Sequence, residues 1–431
     1  MVLWLILTDC ALLTEMKPCP LKLALVTRRF PPMIGGAEKV LSYLARALAV
    51  EGADVTVLTS QMPGMMLPAH EDLPVTLVKN DRSKAVVFAG RLAVVRLETS
   101  RLRFWGTWRY MHNLTRWFYE NPVDLAYVSM LKHDAYSVIG VGERLGFPVV
   151  LRPEGAGATG DIAWQSWGNF GRMIGRRCRR ASAFVSISKA IEQELRDSYR
   201  AGTMRPGRSK RVDHRKEESA RIVAIPNGVP VPDLTWQRRR DWRVTPRAVF
   251  VGRLAAEKGL DVLVAAWPLV RARYPEAQLS LIGDGPQRPA LEQMIGTLGM
   301  MLGPGQAVDM PGAVPEPSEY MRDADLFILP SREEGMSIAL LEAMALGIPL
   351  VASSIAGNRR LVSDFKHGRL APPDDPKALA GVIIDQWDNF DRAFHMSRAA
   401  RSRVEQEFSI QAVARQHLAL FENILQNRRQ Q

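Results

Sequence analysis

The chain has 431 residues, of which 47% are hydrophobic and 24% are charged. This length is enough for about two or three domains with cores of their own, which excludes a disulfide-stabilised miniprotein, and the composition excludes a largely disordered chain. The 3 cysteines are too few and too irregularly spaced for a disulfide framework or a zinc cluster, and this usage is typical of a reducing compartment.

The positive charge of the chain is concentrated in one stretch. The net charge is +12, and residues 171–216 contain 14 Lys and Arg against 4 Asp and Glu, a net of +10. A local excess of this kind favours one surface that binds anionic lipid, phosphate or nucleic acid, rather than a uniformly basic protein.

The first 20 residues are predicted to form a leader outside the fold. Residues 2–7 are apolar, but Asp9 interrupts the run and no basic residue precedes it, which argues against a secretory signal. The run is too short to cross a bilayer. If translation starts at Met16, residues 1–15 are not part of the native protein. We expect a cytoplasmic protein, either soluble or peripheral on the inner leaflet of a membrane.

Residues 21–220 predict a doubly wound α/β domain. Continuous apolar runs alternate with helical patterns, as in parallel strands that are covered on both faces. The predicted strands of this half are 21–27, 54–59, 124–129, 148–151, 183–187 and 222–225. Residues 200–220 are polar and basic without apolar periodicity, so we expect an exposed insertion there.

The same alternation restarts after a linker over residues 221–246, which contains the turn-forming run PNGVPVP. Residues 247–405 predict a second Rossmann-like domain, with strands at 248–251, 278–282, 326–329 and 349–352. Residues 406–431 predict a helix that packs back on the first domain. Two such domains facing a central cleft place strand carboxyl ends and helix amino ends on both walls, where anionic ligands are favoured.

The segment PSREEGMSIALLEAM, residues 330–344, carries the strongest chemical signal. An apolar strand ends in a polar loop with Glu334 and Gly335, and a helix begins near Ser337. The unpaired amides of its first turn can bind a diphosphate, and the carboxylate of Glu342 can accept two ribose hydroxyls. Two glutamates at this spacing also occur by chance, and it is the surrounding loop that favours the functional interpretation.

Two further loops follow predicted strands. In GRLAAEKG, residues 252–259, Arg253 and Lys258 can neutralise a diphosphate leaving group without a metal, although a solvated surface loop is an alternative. Gly35 and Gly36 open a helix where a ligand can approach the backbone, but a structural turn explains the pair equally well. The spacing is not that of a dinucleotide-binding fingerprint, which argues against a dehydrogenase.

These segments together resemble glycosyltransferase family 4, the retaining nucleotide-sugar transferases of the GT-B fold, over residues 22–424. The family's Glu-x7-Glu element matches Glu334 and Glu342, and its Gly-Arg and Lys-Gly pairs match residues 252–253 and 258–259. The segments LIGDGP at 281–286, IPNGV at 225–229 and ADLFILPS at 324–331 are also similar to family segments.

The resemblance implies a donor held mainly by the second domain. Arg253 and Lys258 are expected to hold its diphosphate, Glu342 its ribose, and Glu334 the hydroxyls of the transferred sugar. The loop with Gly35 and Gly36 is expected to close over the phosphates from the opposite wall. The remaining donor-binding positions that the resemblance implies are Gly283, Gly335, Met336 and Ser337. No cofactor is implied, because the nucleotide sugar is a substrate.

The chain departs from the family's pattern at two places. Family members often have a histidine after the strand that here is 148–151, whereas this chain reads RPEGAG, with Glu154 near that position. Either Glu154 or Asp161 serves the acceptor side, or His133 supplies the imidazole, although a lone histidine is more simply explained as an ordinary helix residue. The family's Gly-Gly-x-x-Glu is replaced by AGNRR, residues 356–360, so Arg360 stands in place of a carboxylate and either adds a phosphate contact or marks a lost sugar-binding role.

Asp323 and Asp325 spell the Asp-x-Asp of metal-dependent transferases. They precede a strand and lie away from any glycine-rich phosphate loop, so we expect no metal site and a metal-independent enzyme.

Two basic segments, the aromatic-rich residues 101–120 and the arginine-rich residues 171–180 with Phe170 beside them, are candidates for contact with an anionic membrane, although core packing explains the first as well. The sequence therefore favours a transferase that moves a sugar from a nucleoside-diphosphate donor to a hydroxyl acceptor, lipid-linked or part of an envelope glycan. Two alternatives are a non-catalytic nucleotide-sugar-binding scaffold and a basic nucleic-acid-binding protein. The last is disfavoured because its aromatic residues form no recognisable nucleic-acid module.

Overall fold

The computed structural model describes residues 20–32, 35–61, 67–75, 90–100, 103–157, 160–199 and 221–430. The leader predicted at 1–20, apart from its last residue, and the basic insertion predicted at 200–220 lie outside the described residues.

The described residues form parallel-sheet layers flanked by helices. The strands are β1 Lys22–Val26, β2 Asp54–Ser60, β3 His70–Leu73, β4 Leu92–Leu97, β5 Leu125–Ser129, β6 Val149–Arg152, β7 Ala183–Ser186, β8 Arg221–Ala224, β9 Arg247–Val251, β10 Gln278–Ile282, β11 Val308–Gly312, β12 Leu326–Leu329, β13 Leu350–Ser353 and β14 Arg369–Ala371. The helices are α1 Gly36–Val50, α2 Arg103–Glu120, α3 His133–Leu145, α4 Asp161–Gln165, α5 Gly168–Cys178, α6 Lys189–Tyr199, α7 Leu260–Arg273, α8 Arg288–Thr297, α9 Pro317–Asp323, α10 Ile338–Leu346, α11 Ala356–Leu361, α12 Pro376–Asp388, α13 Phe390–Arg403 and α14 Ile410–Arg429.

Two sheets organise these elements, as the sequence predicts. The first has the order β3-β4-β2-β1-β5-β6-β7-β8, with only the β3–β4 pair antiparallel among its described pairs, and the second has the order β11-β10-β9-β12-β13-β14 and is parallel. Interior strands such as β7 and β12 are buried at every residue because helices cover both faces of each sheet. The strand order changes direction between β1 and β5 in the first sheet and between β9 and β12 in the second. In doubly wound folds, ligands bind at the carboxyl ends of the strands at such a switch point.

The helices divide the core of the first domain into two layers. One face of the sheet packs against α2, α3 and α5 through residues that include Leu114, Val138 and Ile174. The other face packs against α1 and α14, with Leu44 and Phe421 in one apolar cluster. The last helix therefore contributes to the core of the first domain, although the chain has just left the second.

A buried polar contact accompanies this return of the chain. Nε2 of His417, on α14, lies 3.2 Å from the hydroxyl of Tyr127, on β5, and Nδ1 lies 2.9 Å from the carbonyl oxygen of Val413. Burial lowers the pKa of His417 to about 4, so the ring is neutral at physiological pH. The contact pairs polar groups that are otherwise costly to bury.

Four strands were not among the predicted ones, and each has a physical reason to escape notice. β3 alternates exposed and half-buried residues at the edge of the first sheet, and β14 has only 3 residues. β11 contains Pro311 and Gly312, which interrupt an apolar pattern. β4 includes the buried Arg96, whose guanidinium binds Glu71 of the neighbouring β3 at 2.9 Å.

Candidate functional site

The amino ends of two helices from different domains meet in the cleft. α1 follows β1 in the first domain, and α10 follows β12 in the second. A Cβ placed on Gly36 would be 3.8 Å from Cγ1 of Ile338, so the first residue of α1 lies against the first residue of α10. Unpaired amides and the positive ends of both helix dipoles are therefore directed to one region, which favours an anion there.

Glu334 and Lys258 form an ion pair on the second wall. Nζ of Lys258 lies 2.7 Å from Oε1 of Glu334, and the Ser331 hydroxyl donates to the same oxygen at 2.9 Å. The side chain of Lys258 is 20% exposed and that of Glu334 is 9% exposed. The loop after β9 and the loop after β12 thus bring together two of the residues that the sequence singles out.

Glu342 is held from the opposite domain. Its Oε1 accepts hydrogen bonds from Nζ of Lys39 at 2.7 Å and from the hydroxyl of Tyr43 at 2.8 Å. Lys39 and Tyr43 are four residues apart on α1 and therefore share one face of that helix. The structure does not join Glu342 to Glu334 directly, but it places the two on the loop and helix that form one wall.

Arg253 follows β9 and is exposed. Among the described residues its guanidinium makes no hydrogen bond or ion pair, in contrast to Lys258. Gly283 lies beside this loop with φ +137°, and a Cβ there would be 1.9 Å from the carbonyl oxygen of Gly252. Only glycine allows the loops after β9 and β10 to approach this closely in that conformation.

The residues before α10 have different roles. Ser337 caps the helix, because its hydroxyl accepts a hydrogen bond from the amide of Leu340 at 3.3 Å. Met336 is buried in the core of the second domain. Gly335 is exposed, and a Cβ there would meet no atom within 4 Å, so this glycine leaves open space beside the helix terminus.

Gly35 precedes α1 in an extended conformation, and the side chain of Glu38 folds back over it. A Cβ on Gly35 would be 2.1 Å from Oε2 of Glu38, so the carboxylate lies at the amino end of the helix. A negative charge is stabilised at this position by the helix dipole. The loop that is expected to close over the phosphates thus already accommodates an anionic group.

Glu154 lies just beyond β6, on the wall of the first domain. Its carboxylate accepts a hydrogen bond from the Ser129 hydroxyl and lies 3.8 Å from the guanidinium of Arg152, and its amide donates to Asp161 at 3.0 Å. The carboxylate is 24% exposed, whereas the side chain of Asp161 is 4% exposed. Of these two predicted alternatives for the acceptor side, Glu154 is therefore the more accessible.

His133 is the first residue of α3 and is half-buried. Its ring centroid lies 5.4 Å from that of Trp164 and 5.0 Å from that of Phe170. Burial, together with the charges of Arg28 and Lys132, lowers the pKa of His133 to about 4. The imidazole is neutral at physiological pH, and the described contacts do not join it to Glu154.

The segment that departs from the family's pattern forms the short helix α11, which contacts the first domain. Nη1 of Arg360, where the family pattern has a carboxylate, donates to the carbonyl oxygen of Ile187 at 2.7 Å, across the cleft from its own domain. In the same helix, a Cβ on Gly357 would be 2.1 Å from the carbonyl oxygen of Glu334. Gly357 therefore supports the backbone of the Glu334 loop, a function that its place in the sequence did not reveal.

Asp325 has a structural role. It is completely buried, and its Oδ2 accepts hydrogen bonds from Nη1 of Arg239 at 3.0 Å and from the backbone amide of Arg247 at 2.9 Å. Burial raises the pKa of Asp325 to about 6. In the part of the chain that the structure describes, no group of three or more His, Cys, Asp or Glu side chains is arranged to hold a metal ion.

Sequence reasoning did not find Lys39, Tyr43 or the role of Arg332. Arg332 binds both carboxylate oxygens of Asp261, at 2.8 and 2.7 Å, and Oδ1 of Asp374 at 2.6 Å, which fixes the start of the Glu334 loop. These ion pairs raise the pKa of Arg332. No local pattern marks Lys39 or Tyr43, because their partner Glu342 is about 300 residues away in the sequence.

Two doubly wound domains whose sheets direct the carboxyl ends of their parallel strands toward one cleft define a GT-B fold. The sequence model for "Glycosyl transferases group 1" matches residues 245–389, and that for "Glycosyl transferase 4-like domain" matches residues 35–205. The chain belongs to the group 1 glycosyl transferases of family 4, as the sequence motifs predict.

Known relatives span nearly the whole chain. Glycogen synthase of Mycobacterium tuberculosis is 25% identical over 417 residues, which are 91% of this chain and 92% of the relative. Phosphatidyl-myo-inositol mannosyltransferase of Mycolicibacterium smegmatis is 25% identical over 90% of each chain. The crystal structure of Anabaena Alr3699/HepE with UDP-glucose has a TM-score of 0.67 and 18% identity, and it covers 93% of this chain and 99% of its own.

Proposed function

We propose that this protein transfers a hexose from a nucleoside-diphosphate sugar to a hydroxyl acceptor with retention of configuration. The observation that carries the proposal is the convergence of the Lys258–Glu334 pair, Glu342 and the amino ends of α1 and α10 on one cleft. HepE, which shares the fold, has been crystallised with UDP-glucose. Fixed cations and helix dipoles suit a diphosphate, and carboxylates suit sugar hydroxyls.

In the proposed reaction the acceptor oxygen bonds to the anomeric carbon as the bond from that carbon to the diphosphate oxygen breaks. The acceptor's proton passes to the leaving diphosphate, on the same face of the sugar. Arg253 and Lys258 stabilise the negative charge that develops on the diphosphate, and Glu334 binds the sugar's hydroxyls near the developing positive charge. Because Lys258 and Ser331 both donate to Oε1 of Glu334, the carboxylate is better suited to orienting the sugar than to attacking it.

On the acceptor side, Glu154 is proposed to receive a hydrogen bond from a second hydroxyl of the acceptor, so that the attacking hydroxyl keeps its proton for the leaving diphosphate. Ser129 and Arg152 hold its carboxylate, and Asp161 holds its amide. His133, neutral and packed between aromatic rings, forms a wall of the acceptor site together with Trp164 and Phe170.

The proposal is tested by incubating the purified full chain with UDP-, GDP- and ADP-sugars and measuring the release of nucleoside diphosphate, with and without a mixed polyol and glycolipid acceptor pool. We expect release from one nucleotide class, faster with acceptor present. Binding of a nucleotide sugar without any release would instead identify the non-catalytic scaffold.

Chelation of divalent cations should leave this activity unchanged. The diphosphate is neutralised by Arg253, Lys258 and helix dipoles, and Asp325 is committed to Arg239 and Arg247. We expect equal rates in buffer with EDTA and in buffer with added manganese. A rate lost in EDTA and restored by manganese would contradict a metal-independent reaction.

We further propose that the reaction takes place at an anionic membrane surface. α2, α3 and α5 cover one face of the first sheet, and α2 and α5 run opposite to the parallel strands, so both begin at the cleft edge. Trp105 and Trp108 on α2 and Trp167 just before α5 are 62%, 59% and 68% exposed. Their apolar rings are costly to leave in water and are suited to a bilayer interface.

The positive charge of α5 favours an anionic membrane. The exposed side chains of α5 include Arg172, Arg176 and, at its end, Arg179, while the first turns of α5 contain no acidic residue. Arginines beside interfacial aromatic rings match anionic headgroups. No helix in the described ranges is long and apolar enough to cross a bilayer, so this surface would lie on the membrane rather than in it.

Vesicle sedimentation tests this surface. We expect the full chain to sediment with phosphatidylglycerol vesicles and not with phosphatidylcholine vesicles, and we expect the W105S/W108S and R172Q/R176Q variants to lose about 10-fold in apparent affinity. The control is Met301→Ser, which removes a 67% exposed apolar side chain from the second domain. Equal sedimentation with both lipids, or full binding by both variants, would refute the membrane surface.

A further inference from the structure

We propose that Lys39 and Tyr43 of the first domain are positioning residues of the donor's ribose site, so that ribose is recognised by both domains through the carboxylate of Glu342. This inference rests on the proposed function, because it takes the ligand of Glu342 to be the ribose of a nucleoside diphosphate. It adds two residues of the opposite domain to a site that the motif alone places in the second domain.

The contact is built from one face of α1. Lys39 and Tyr43 both reach Oε1 of Glu342, at 2.7 and 2.8 Å, although they precede it by 303 and 299 residues. The ring of Tyr43 packs against the apolar cores of both domains, which fixes its hydroxyl at the boundary between them. The Glu342 side chain is 15% exposed, so the ion pair with Lys39 is only partly screened by water.

The hydrogen bonds from α1 use only one of the two carboxylate oxygens of Glu342. Both bonds from α1 end on Oε1, and none of the described side chains donates to Oε2. A carboxylate has acceptor sites on both oxygens, so Oε2 can receive a ribose hydroxyl while the first-domain donors remain in place. The Lys39 and Tyr43 bonds therefore orient the carboxylate that the ribose uses.

The protonation states support this arrangement. Burial, followed by the charge of Glu342, raises the pKa of Tyr43 well above its ordinary value. The hydroxyl is therefore a donor at every physiological pH. Nζ of Lys39 and the Tyr43 hydroxyl both donate to Oε1 of Glu342, which leaves the lone pairs of Oε2 to accept a ribose hydroxyl.

The test compares ribose and deoxyribose nucleotides on the full chain. Wild type, Tyr43→Phe and Lys39→Met are titrated by calorimetry with UDP and GDP, and then with the 2′-deoxy and 3′-deoxy forms of the nucleotide that binds more tightly. We expect each variant to bind the ribonucleotide about 5- to 10-fold more weakly than wild type does. For at least one deoxynucleotide, we expect the affinities of the variant and of wild type to differ by less than about 2-fold.

This coupling distinguishes positioning from a structural role. Tyr43→Phe keeps the partly buried ring, and Lys39→Gln replaces Lys39→Met if the latter lowers the melting temperature. The matched control is Glu51→Gln, which removes an ion pair with Arg415, 3.4 Å long, at the far end of the same helix. The control should bind as wild type does.

Three results overturn the inference. Unchanged affinity in both variants would show that α1 does not support the ribose site, and tighter binding would show that Lys39 and Tyr43 compete with the donor. Equal losses for ribose and both deoxy forms would show a structural effect alone. If wild type binds no nucleoside diphosphate, the proposed function fails as well, whereas normal binding by wild type and variants alike contradicts only this inference.

Discussion

Glu334→Gln should abolish transfer while leaving nucleoside diphosphate affinity close to that of wild type. The amide keeps the size of the side chain but removes the negative charge that is proposed to face the reacting sugar. Loss of one preorganised electrostatic contact in an active site typically lowers kcat by about 10²- to 10³-fold. Nucleotide binding depends on Arg253, Lys258, Glu342 and the helix termini, which this substitution leaves in place.

The adjacent residue provides the control for this variant. Glu333 is exposed and also a glutamate, so Glu333→Gln makes the same chemical change one residue away. We expect Glu333→Gln to retain wild-type turnover with the same nucleotide sugar. A Glu334→Gln variant with full activity would refute the role assigned to this carboxylate, and loss of nucleotide binding in that variant would show that the residue acts on the diphosphate instead.

Removing either cation of the β9 loop should weaken nucleoside diphosphate binding by about 10- to 100-fold, because each is proposed to make a charge-assisted contact to phosphate. The two variants should differ in stability. Arg253→Ala removes a side chain without a described partner, whereas Lys258→Ala leaves the 9% exposed Glu334 carboxylate without its cation. We expect the second variant to lose about 1–3 kcal/mol in free energy of unfolding.

The difference can be isolated with a double variant. Lys258→Met combined with Glu334→Gln removes both charges, so we expect it to recover the stability of wild type but not its nucleotide affinity. The controls are Arg322→Ala and Lys366→Ala, which remove exposed cations just before β12 and β14, at the opposite edge of the parallel second sheet from the loop after β9. Calorimetric affinities of Arg253→Ala and Lys258→Ala equal to those of the controls would count against the diphosphate assignment.

The interior strands could be predicted because a strand that is buried on both faces consists of a continuous run of apolar residues. β7 and β12, for example, are short apolar runs bounded by polar loops. The edge strand β3 could not be predicted, because it is half-exposed and is held by pairing with β4 rather than by its own composition. The buried Arg96 of β4 likewise depends on Glu71, a partner that only the folded sheet brings near.

The candidate site shows the same division. Lys258 and Glu334 lie in loops that follow strands, and Glu342 lies in the helix that follows the Glu334 loop, so local pattern and family resemblance were enough to select them. Their partners were not available in the same way. The contacts of Lys39 and Tyr43 with Glu342 join residues about 300 positions apart, and nothing local distinguishes these two from other polar residues of an amphipathic helix.

Arg360 illustrates how a substitution changes meaning once the fold is known. From the sequence it was a cation close to the expected donor, with a phosphate contact as one interpretation. In the structure its guanidinium binds the carbonyl oxygen of Ile187 in the opposite domain, and burial lowers its pKa. The residue that replaces the family's carboxylate therefore contributes to the contact between domains.

The most direct test of a nucleoside-diphosphate site is a calorimetric titration of the wild-type chain with UDP, GDP and ADP in buffer that contains EDTA. We expect one-to-one binding of at least one of these nucleotides, because arginine, lysine and two helix termini surround the space between the domains. Absence of binding by all three, in protein that is folded by circular dichroism, would contradict a nucleoside-diphosphate site in this cleft.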